Sequence, residues 1–235
     1  MLLLGGGGAA VGATPTSATA TGNGSASVLA TKQAEQIRAT DAPTRVHVRA
    51  AQQRVVITVV TDQRMDGTGV ALTDRQGRVI ANGSSTTLHW GRPTVQKVGV
   101  NLRARSLTHW GQQTWKVDAW RTSDGSCTLL DRQVTVDIRA HSSLRLSASR
   151  RGDAVQVSGT AQAFHSTAGR FVPWTGRPAS LQRLVNGRWT QVAALRTDSK
   201  GKVSHHLNLP KGAQLRLVTS DTASIWGGTT RPVTT

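Results

Sequence analysis

The side chains best suited to bind a ligand lie together in one segment, residues 165–178. Phe171 and Trp174 lie there between Arg170 and Arg177. Aromatic rings flanked by guanidinium groups suit stacking on the face of a sugar and contact with polyanions. We therefore predict that these four residues bind a ligand from a long loop. In the alternative, Phe171 or Trp174 folds back to plug the open end of a domain. We favour this alternative because buried aromatic rings dominate small cores.

Catalytic chemistry has little support in the residue types present. General acid–base catalysis by carboxylates needs two acids at one site, and most of the 12 acidic residues lie in predicted turns, where Asp bonds its own backbone. The sequence contains no G-x-S-x-G elbow, no glycine-rich phosphate loop and no H-E-x-x-H pair. We predict no catalytic residue and no enzymatic activity. An unrecognised active site would require a cluster of His, Asp and Ser in one pocket.

Metal and cofactor sites are not predicted either. The 7 histidines are scattered along the chain. The adjacent His205 and His206 point to opposite faces of a predicted strand, so they cannot share one metal ion without a bulge. Cys127 is the single cysteine, which excludes a C-x-x-C zinc site and an intrachain disulfide.

The elements that must position these residues are strands. From Arg45 onward, apolar and polar residues alternate with the period of a strand that buries one face. The alternation is clear at 98–102, 115–119, 134–138 and 215–217. Residues 55–60 (VVITVV) are apolar on both faces, which predicts a central strand. Trp115, Trp120 and Trp189 lie within predicted strands, so we expect them in the core or on a sheet surface.

Turn sequences separate these strands at short, regular intervals. Hairpin turns favour Gly, which supplies a positive φ, and Asn and Asp, which tolerate it. Such dipeptides occur at Asp66-Gly67, Asn82-Gly83 and Asn186-Gly187, and longer turn sequences occur at 74–77, 151–153, 198–201 and 210–212. Many short strands at this spacing indicate a sandwich or a barrel. We predict an all-β protein with two tandem immunoglobulin-like antiparallel β-sandwich domains.

Composition sets the bounds of the first two segments, and the divide at 140/141 follows from two strand patterns, 134–138 and 144–146, that follow each other almost directly. Residues 2–13 form an uncharged apolar run, and Ala18 and Ala20 occupy A-x-A positions, which predicts a signal peptide over 1–20 although no basic residue precedes the run. A polar, flexible leader is predicted over 21–43, then one sandwich over 44–140 and another over 141–235. No stretch approaches 18 apolar residues, so no transmembrane segment is predicted.

The segment 175–203 carries a resemblance to a known group of proteins. It contains a Gly-Arg-Pro loop ending at Pro178, the strand 179–183 (ASLQR), a Gly-Arg-Trp hairpin ending at Trp189 and the T-D-x-x-G turn 197–201. These features resemble a repeat of exported, two-module actinobacterial proteins with immunoglobulin-like domains, most of them uncharacterised. The resemblance covers most of 114–235 and implies export and architecture, but no reaction.

The charge balance narrows the class of partner. The formal net charge is +17, which favours polyanions such as cell-wall polymers, acidic lipid head groups or nucleic acid. A GC-rich coding bias would produce the same arginine content. Export and the lack of a nucleic-acid reading module argue against physiological nucleic-acid binding. We therefore predict a secreted or cell-wall-associated accessory protein that binds an anionic cell-wall polymer or a partner protein. The alternative is a structural adaptor in a larger secreted assembly.

Overall fold

A computed structural model describes residues 37–61, 65–86, 95–107, 109–123 and 126–235. The predicted signal peptide and residues 21–36 of the predicted leader lie outside the described residues. The regular secondary structure of the described part consists of strands and one 3₁₀ turn, Ala104–Ser106. No helix within it has the length and apolar character needed to cross a membrane.

The first sandwich contains eight strands in two sheets. They are β1 (Ile37–Asp41), β2 (Arg45–Val48), β3 (Gln52–Thr61), β4 (Gly67–Thr73), β5 (Val79–Thr86), β6 (Val95–Arg103), β7 (Gly111–Ser123) and β8 (Ser126–Ala140). The smaller sheet has the strand order β1-β3-β6, and the larger has the order β2-β8-β7-β4-β5. Neighbouring strands are antiparallel except for β2 and β8, which run parallel.

The second sandwich contains the remaining nine strands. They are β9 (Ser142–Arg151), β10 (Ala154–His165), β11 (Arg170–Pro173), β12 (Pro178–Val185), β13 (Arg188–Arg196), β14 (Lys202–Asn208), β15 (Gln214–Thr219), β16 (Gly228–Thr229) and β17 (Val233–Thr234). In one sheet β10 pairs with β9 on one side and with β14 and β11 on the other. In the other sheet β12 lies between β13 and β15, and β15 also pairs with β16 and β17. The fold is thus all-β, with tandem immunoglobulin-like sandwiches, as predicted.

Each sandwich buries the inward face of its alternating strands. Trp115 is the largest fully buried side chain of the first core, and its Nε1 donates a hydrogen bond to the carbonyl of Pro43 at 3.1 Å. Loss of such a ring from a core costs about 3–5 kcal/mol. In the second sandwich, Val157, Leu181 and Leu215 are fully buried and belong to one apolar cluster.

The start of the first sandwich differs from the prediction. Strand β1 begins at Ile37, within the predicted leader, and pairs antiparallel with β3. Ile37 is buried in the first core. One apolar side chain is too weak a pattern to reveal a strand in the sequence, so the sequence predicts a leader there.

The two sandwiches follow each other without a linker. Strand β8 ends at Ala140 and β9 begins at Ser142, so His141 alone separates them. All described residues belong to one compact unit. The division into separate domains at 140/141 stays a prediction.

The predicted turns are mostly where the sequence places them. Gly77, Gly152, Gly187 and Gly212 each have a positive φ between strands. Gly67 and Gly83 are exceptions, because Gly67 begins β4 and Asn82 and Gly83 lie inside β5. A Cβ atom at Gly83 would lie 2.3 Å from the carbonyl oxygen of Gly99 in β6, so glycine is needed there for the close approach of two backbones.

The prediction of a central strand at residues 55–60 is confirmed, but only one face of that strand is buried. Strand β3 is central in its three-stranded sheet, and Ile57 and Val59 point into the core. Val56, on the other face, is 50% exposed. No further layer of described residues covers that face of Val56.

Candidate functional site

An open groove of about 790 Å³ lies on the outer face of β9, β10 and β14. Outward side chains such as Ser158 alternate there with the buried Val157 and Gly159. The outward residues are small on the central strand. The floor of the groove is therefore the sheet itself, and its walls are longer side chains from the flanking strands.

Strand pairing arranges the groove in rows. Thr160 in β10 pairs with Arg145 in β9 and with Lys202 in β14. The next outward row is Ser147, Ser158 and Ser204. We call these six residues the cationic face. Because adjacent strands are about 4.8 Å apart, the backbones that carry Arg145 and Lys202 are about 10 Å apart across the row.

One acidic residue lies at the rim of the groove. Asp198 Oδ1 accepts hydrogen bonds from the backbone N–H groups of Lys200 at 2.8 Å and Lys202 at 2.7 Å. These bonds lower the pKa of Asp198, so the carboxylate stays charged and holds the turn before β14. Arg196, also at the rim, donates to the carbonyl of Gly176 at 2.6 Å. The local balance of Arg145, Lys202, Arg196 and Asp198 is positive.

The predicted long loop is shorter than expected. Strand β10 continues to His165, and β11 covers Arg170–Pro173. Arg170 is exposed at the start of β11. Phe171 is partly buried, with its ring 5.7 Å from that of Phe164 and 6.1 Å from that of His141. The first half of the predicted binding loop is therefore a hairpin whose aromatic ring packs at the junction of the sandwiches.

The second half of this segment is a tight turn. Trp174 is 4% exposed and packs with Ala161 and Ala163. Thr197 Oγ1 donates a hydrogen bond to the Trp174 carbonyl at 2.6 Å and accepts one from the backbone N–H of Arg177 at 2.8 Å. The Arg177 guanidinium lies 5.4 Å from the Trp174 ring.

The four predicted residues do not form one open site. The Trp174 ring has no face available to a ligand, and its position fits the alternative in which an aromatic ring plugs the sandwich. Arg170 and Arg177 remain accessible cations, partly so in the case of Arg177. Arg196 links the predicted segment to the groove, since its guanidinium bonds Gly176 and lines the groove.

The sequence did not point to Trp226. This residue is 3% exposed, and its Nε1 donates to the carbonyl of Val46 in the first sandwich at 3.0 Å. The guanidinium carbons of Arg45 and Arg139 lie 3.9 and 4.2 Å from its ring centroid. Its backbone N–H also bonds the carbonyl of Ala140. Trp226 therefore joins the two sandwiches, through contacts with residues far away in the chain.

A second, smaller cleft lies beside this junction. It measures about 350 Å³ and is lined by Arg45, Arg49, Arg54, His47 and His141, among others. The two Nδ1 atoms of the histidines are 3.3 Å apart, so one ring donates and the other accepts. Burial, followed by the positive charge of neighbouring residues, lowers the pKa of both histidines. Both imidazoles are therefore neutral at neutral pH.

The described residues contain no group of three or more His, Cys, Asp or Glu side chains that would hold a metal ion. His205 and His206 pair with successive residues of β10, Val157 and Gln156. Their side chains consequently point to opposite faces of the sheet, as the sequence predicted. Cys127 lies in β8.

Comparisons with known proteins give structural matches only. No protein-family model matches the sequence, and a search of curated proteins finds no match. A DUF4785 family protein from Legionella pneumophila is 12% identical over 83% of this chain and 55% of its own, with a TM-score of 0.44. The tetra-tandem repeat in the extending region of a large adhesion protein is 15% identical over 83% of this chain and 49% of its own, with a TM-score of 0.32. The D0-D1 domain of intimin is 15% identical over 84% and 97%, with a TM-score of 0.29. The chain thus spans about half the length of the first two proteins.

Proposed function

We propose that the protein is an exported, non-catalytic accessory protein that binds anionic polymers of the cell envelope through the cationic face. The observation that carries this proposal is the row in which Arg145 and Lys202 flank Thr160. Two cations on either side of a hydroxyl-bearing strand suit a linear polymer that carries phosphate or carboxylate groups along its length.

The hydroxyl groups of the cationic face are available for such a polymer. Within the described part of the chain, the hydroxyls of Ser158, Thr160 and Ser204 have no hydrogen-bond partner, whereas Ser147 Oγ donates to the carbonyl of Ser158 at 3.2 Å. A free hydroxyl both donates and accepts. These groups suit the hydroxyls and the anionic oxygens of a polysaccharide or polyol phosphate.

The charge of the whole chain supports the same partner. A net charge of +17 attracts a polyanion over long range, and counterion release makes binding dependent on salt. The cationic face adds a place where the polymer is held at close range. This distinguishes a defined site from attraction to the surface as a whole.

A salt titration with matched variants tests the proposal. Binding of the full chain to polygalacturonate and to poly(glycerol phosphate) is measured by titration calorimetry over a range of NaCl concentrations. The double variant Arg145→Gln/Lys202→Gln should lower the slope of log K against log [salt] by about 2, roughly one for each lost ion pair. Arg188→Gln/Lys211→Gln removes the same charge from exposed positions of the second sandwich and should leave most of the affinity. Equal losses in the two variants, or binding that does not respond to salt, would contradict the proposal.

Export and the likeness to exported actinobacterial proteins are part of the same proposal. They are supported by the apolar run at 2–13, by the A-x-A residues Ala18 and Ala20 and by the motifs in 175–203. Mass spectrometry of protein recovered from the culture medium of the native host should find Thr21 at the amino terminus. Protein retained inside the cells with the segment 1–20 intact would contradict export.

An adaptor role is the second candidate, because apolar side chains lie exposed on the smaller sheet of the first sandwich. Val56 and Val95 are 50% and 63% exposed there. A partner protein would cover such positions. Stoichiometric co-purification of a partner with the wild-type chain, lost in Val56→Ser/Val95→Ser, would favour this role over polymer binding.

A further inference from the structure

Trp120 lies on the outer face of the larger sheet of the first sandwich, on top of glycines. It pairs with Gly67 in β4. A Cβ atom at Gly67 would lie 2.1 Å from Cζ2 of the Trp120 ring, and one at Gly69 would lie 3.6 Å from Cζ3. Because ring atoms occupy the place where a side chain at Gly67 would start and lie in contact distance of that place at Gly69, the indole lies along the surface of β4. We call Trp120 with Gly67 and Gly69 the tryptophan platform.

Part of this ring is accessible to solvent. Trp120 is partly exposed, and its cross-strand neighbour Leu129 is itself 66% exposed. The other tryptophans described on sheets have different surroundings. Trp115 is fully buried, and Trp189 has the guanidinium of Arg216 4.3 Å from its ring centroid. Among the described residues, no guanidinium group stacks on the ring of Trp120.

Hydrogen-bonding groups border the platform on its next row. Asp118 in β7 pairs with Asp131 in β8 and with Gly69 in β4, and Ser84 in β5 pairs with Gly69 on the other side. Asp118 Oδ2 would be 4.0 Å from a Cβ atom at Gly69. Burial and then the charge of Asp131 raise the pKa of Asp118. Like charges directly opposite on a sheet are unfavourable, so hydroxyl donors that bond both carboxylates would relieve this pair.

We propose that the tryptophan platform binds a neutral sugar ring of a glycan. The face of a pyranose that carries C–H groups is apolar and packs on an aromatic ring. Its hydroxyls project at the edge, where Asp118, Asp131 and Ser84 provide charged acceptors and one hydroxyl. The two carboxylates repel a phosphate or a uronate. The ligand therefore differs in charge from that of the cationic face, and this site does not depend on the proposed function.

Affinity electrophoresis provides the test. The full chain runs toward the cathode through native gels that contain hydroxyethylcellulose, glycol chitin or galactomannan, which carry neutral sugar rings. Retardation is expected in at least one gel and should be the same in low and in high salt. The salt response separates this site from the cationic face, where binding weakens as salt is added.

Three variants assign the retardation to the platform. Trp120→Ala should raise the dissociation constant about tenfold or more, the scale of losing one stacked ring. Gly67→Ala keeps the indole but displaces it from the sheet, and it should weaken binding in the same way. Trp189→Ala is the matched control and should bind within about twofold of wild type. Thermal unfolding of each variant shows whether it is folded. Trp120→Ala removes the stacking ring, whereas Gly67→Ala displaces it, so a loss of binding in both variants points to the ring itself.

Several results would overturn the proposal. The wild-type chain would show no retardation in any of the three gels. Alternatively, retardation would persist in Trp120→Ala, or Trp189→Ala would lose binding to the same extent. Loss of retardation in high salt would assign the binding to charge and would equally refute a neutral sugar site.

Discussion

Substitution of Trp226 by alanine removes the ring that joins the two sandwiches. In the native protein this ring is 3% exposed and donates a hydrogen bond to Val46 at 3.0 Å. It also stacks with His47, with ring centroids 5.3 Å apart, and contacts the guanidinium groups of Arg45 and Arg139. The variant loses all of these interactions at one position.

The expected cost follows from those contacts. Truncation of a buried Trp to Ala in a core costs about 3–5 kcal/mol, which includes the loss of its packing. Trp226→Phe keeps most of the apolar ring and loses the indole N–H, so it should cost about 1–2 kcal/mol. Trp189→Ala, at a partly exposed position, should cost about 1 kcal/mol or less.

Urea unfolding followed by far-UV circular dichroism measures these differences. We expect the order Trp226→Ala, then Trp226→Phe, then Trp189→Ala, from most to least destabilised. We also expect the first variant to unfold in a broader transition, because the sandwiches lose one of the contacts that couple them. A loss below about 1 kcal/mol for Trp226→Ala, or equal losses for Ala and Phe, would refute the assigned role.

Three further changes have defined outcomes. The pKa values of His47 and His141 are lowered in the folded state, so the unfolded chain binds more protons below its ordinary histidine pKa of about 6.5. The free energy of unfolding should therefore fall as the pH decreases from about 7.5 to 5. The double variant His47→Gln/His141→Gln should flatten this dependence in urea titrations. Gly83→Ala places a Cβ atom 2.3 Å from the Gly99 carbonyl oxygen, so differential scanning calorimetry should show a loss of about 1–3 kcal/mol, and an unchanged melting temperature would contradict the close approach of β5 and β6. Asp198→Ala removes the acceptor of two backbone N–H groups and should cost about 1 kcal/mol in the same assay, whereas no change would exclude a role for Asp198 in holding the turn.

Local patterns predicted the fold better than they predicted the site. Alternation at 215–217 placed Leu215 and Leu217 in the interior of the second sandwich, because a strand with one buried face leaves a period of two in its sequence. Turn chemistry correctly placed Gly187 and Gly212 at positive φ. The same chemistry failed at Gly83, since a glycine needed for backbone contact between strands is indistinguishable in sequence from one needed for a turn.

The binding surfaces depend on strand register, which the sequence does not express. Arg145 and Lys202 are 57 positions apart in the sequence and meet only because β9 and β14 both pair with β10. Trp120 and Gly67 become neighbours in the same way. The arginines near Trp174 in the sequence predicted that it binds a ligand. In the structure it is 4% exposed because it packs against Ala161 and Ala163. Residue types and spacing pointed to the segment 165–178, whereas strand pairing determines which side chains of the two proposed surfaces face solvent together.

Hydrogen–deuterium exchange with and without poly(glycerol phosphate) tests most directly whether polyanions dock on the second sandwich at the proposed place. Slower exchange should concentrate in peptides that cover residues 145–147, 158–160 and 202–204, while peptides from β4 and β7 keep their rates. Uniform protection over the whole chain, or protection confined to the first sandwich, would contradict a defined binding face.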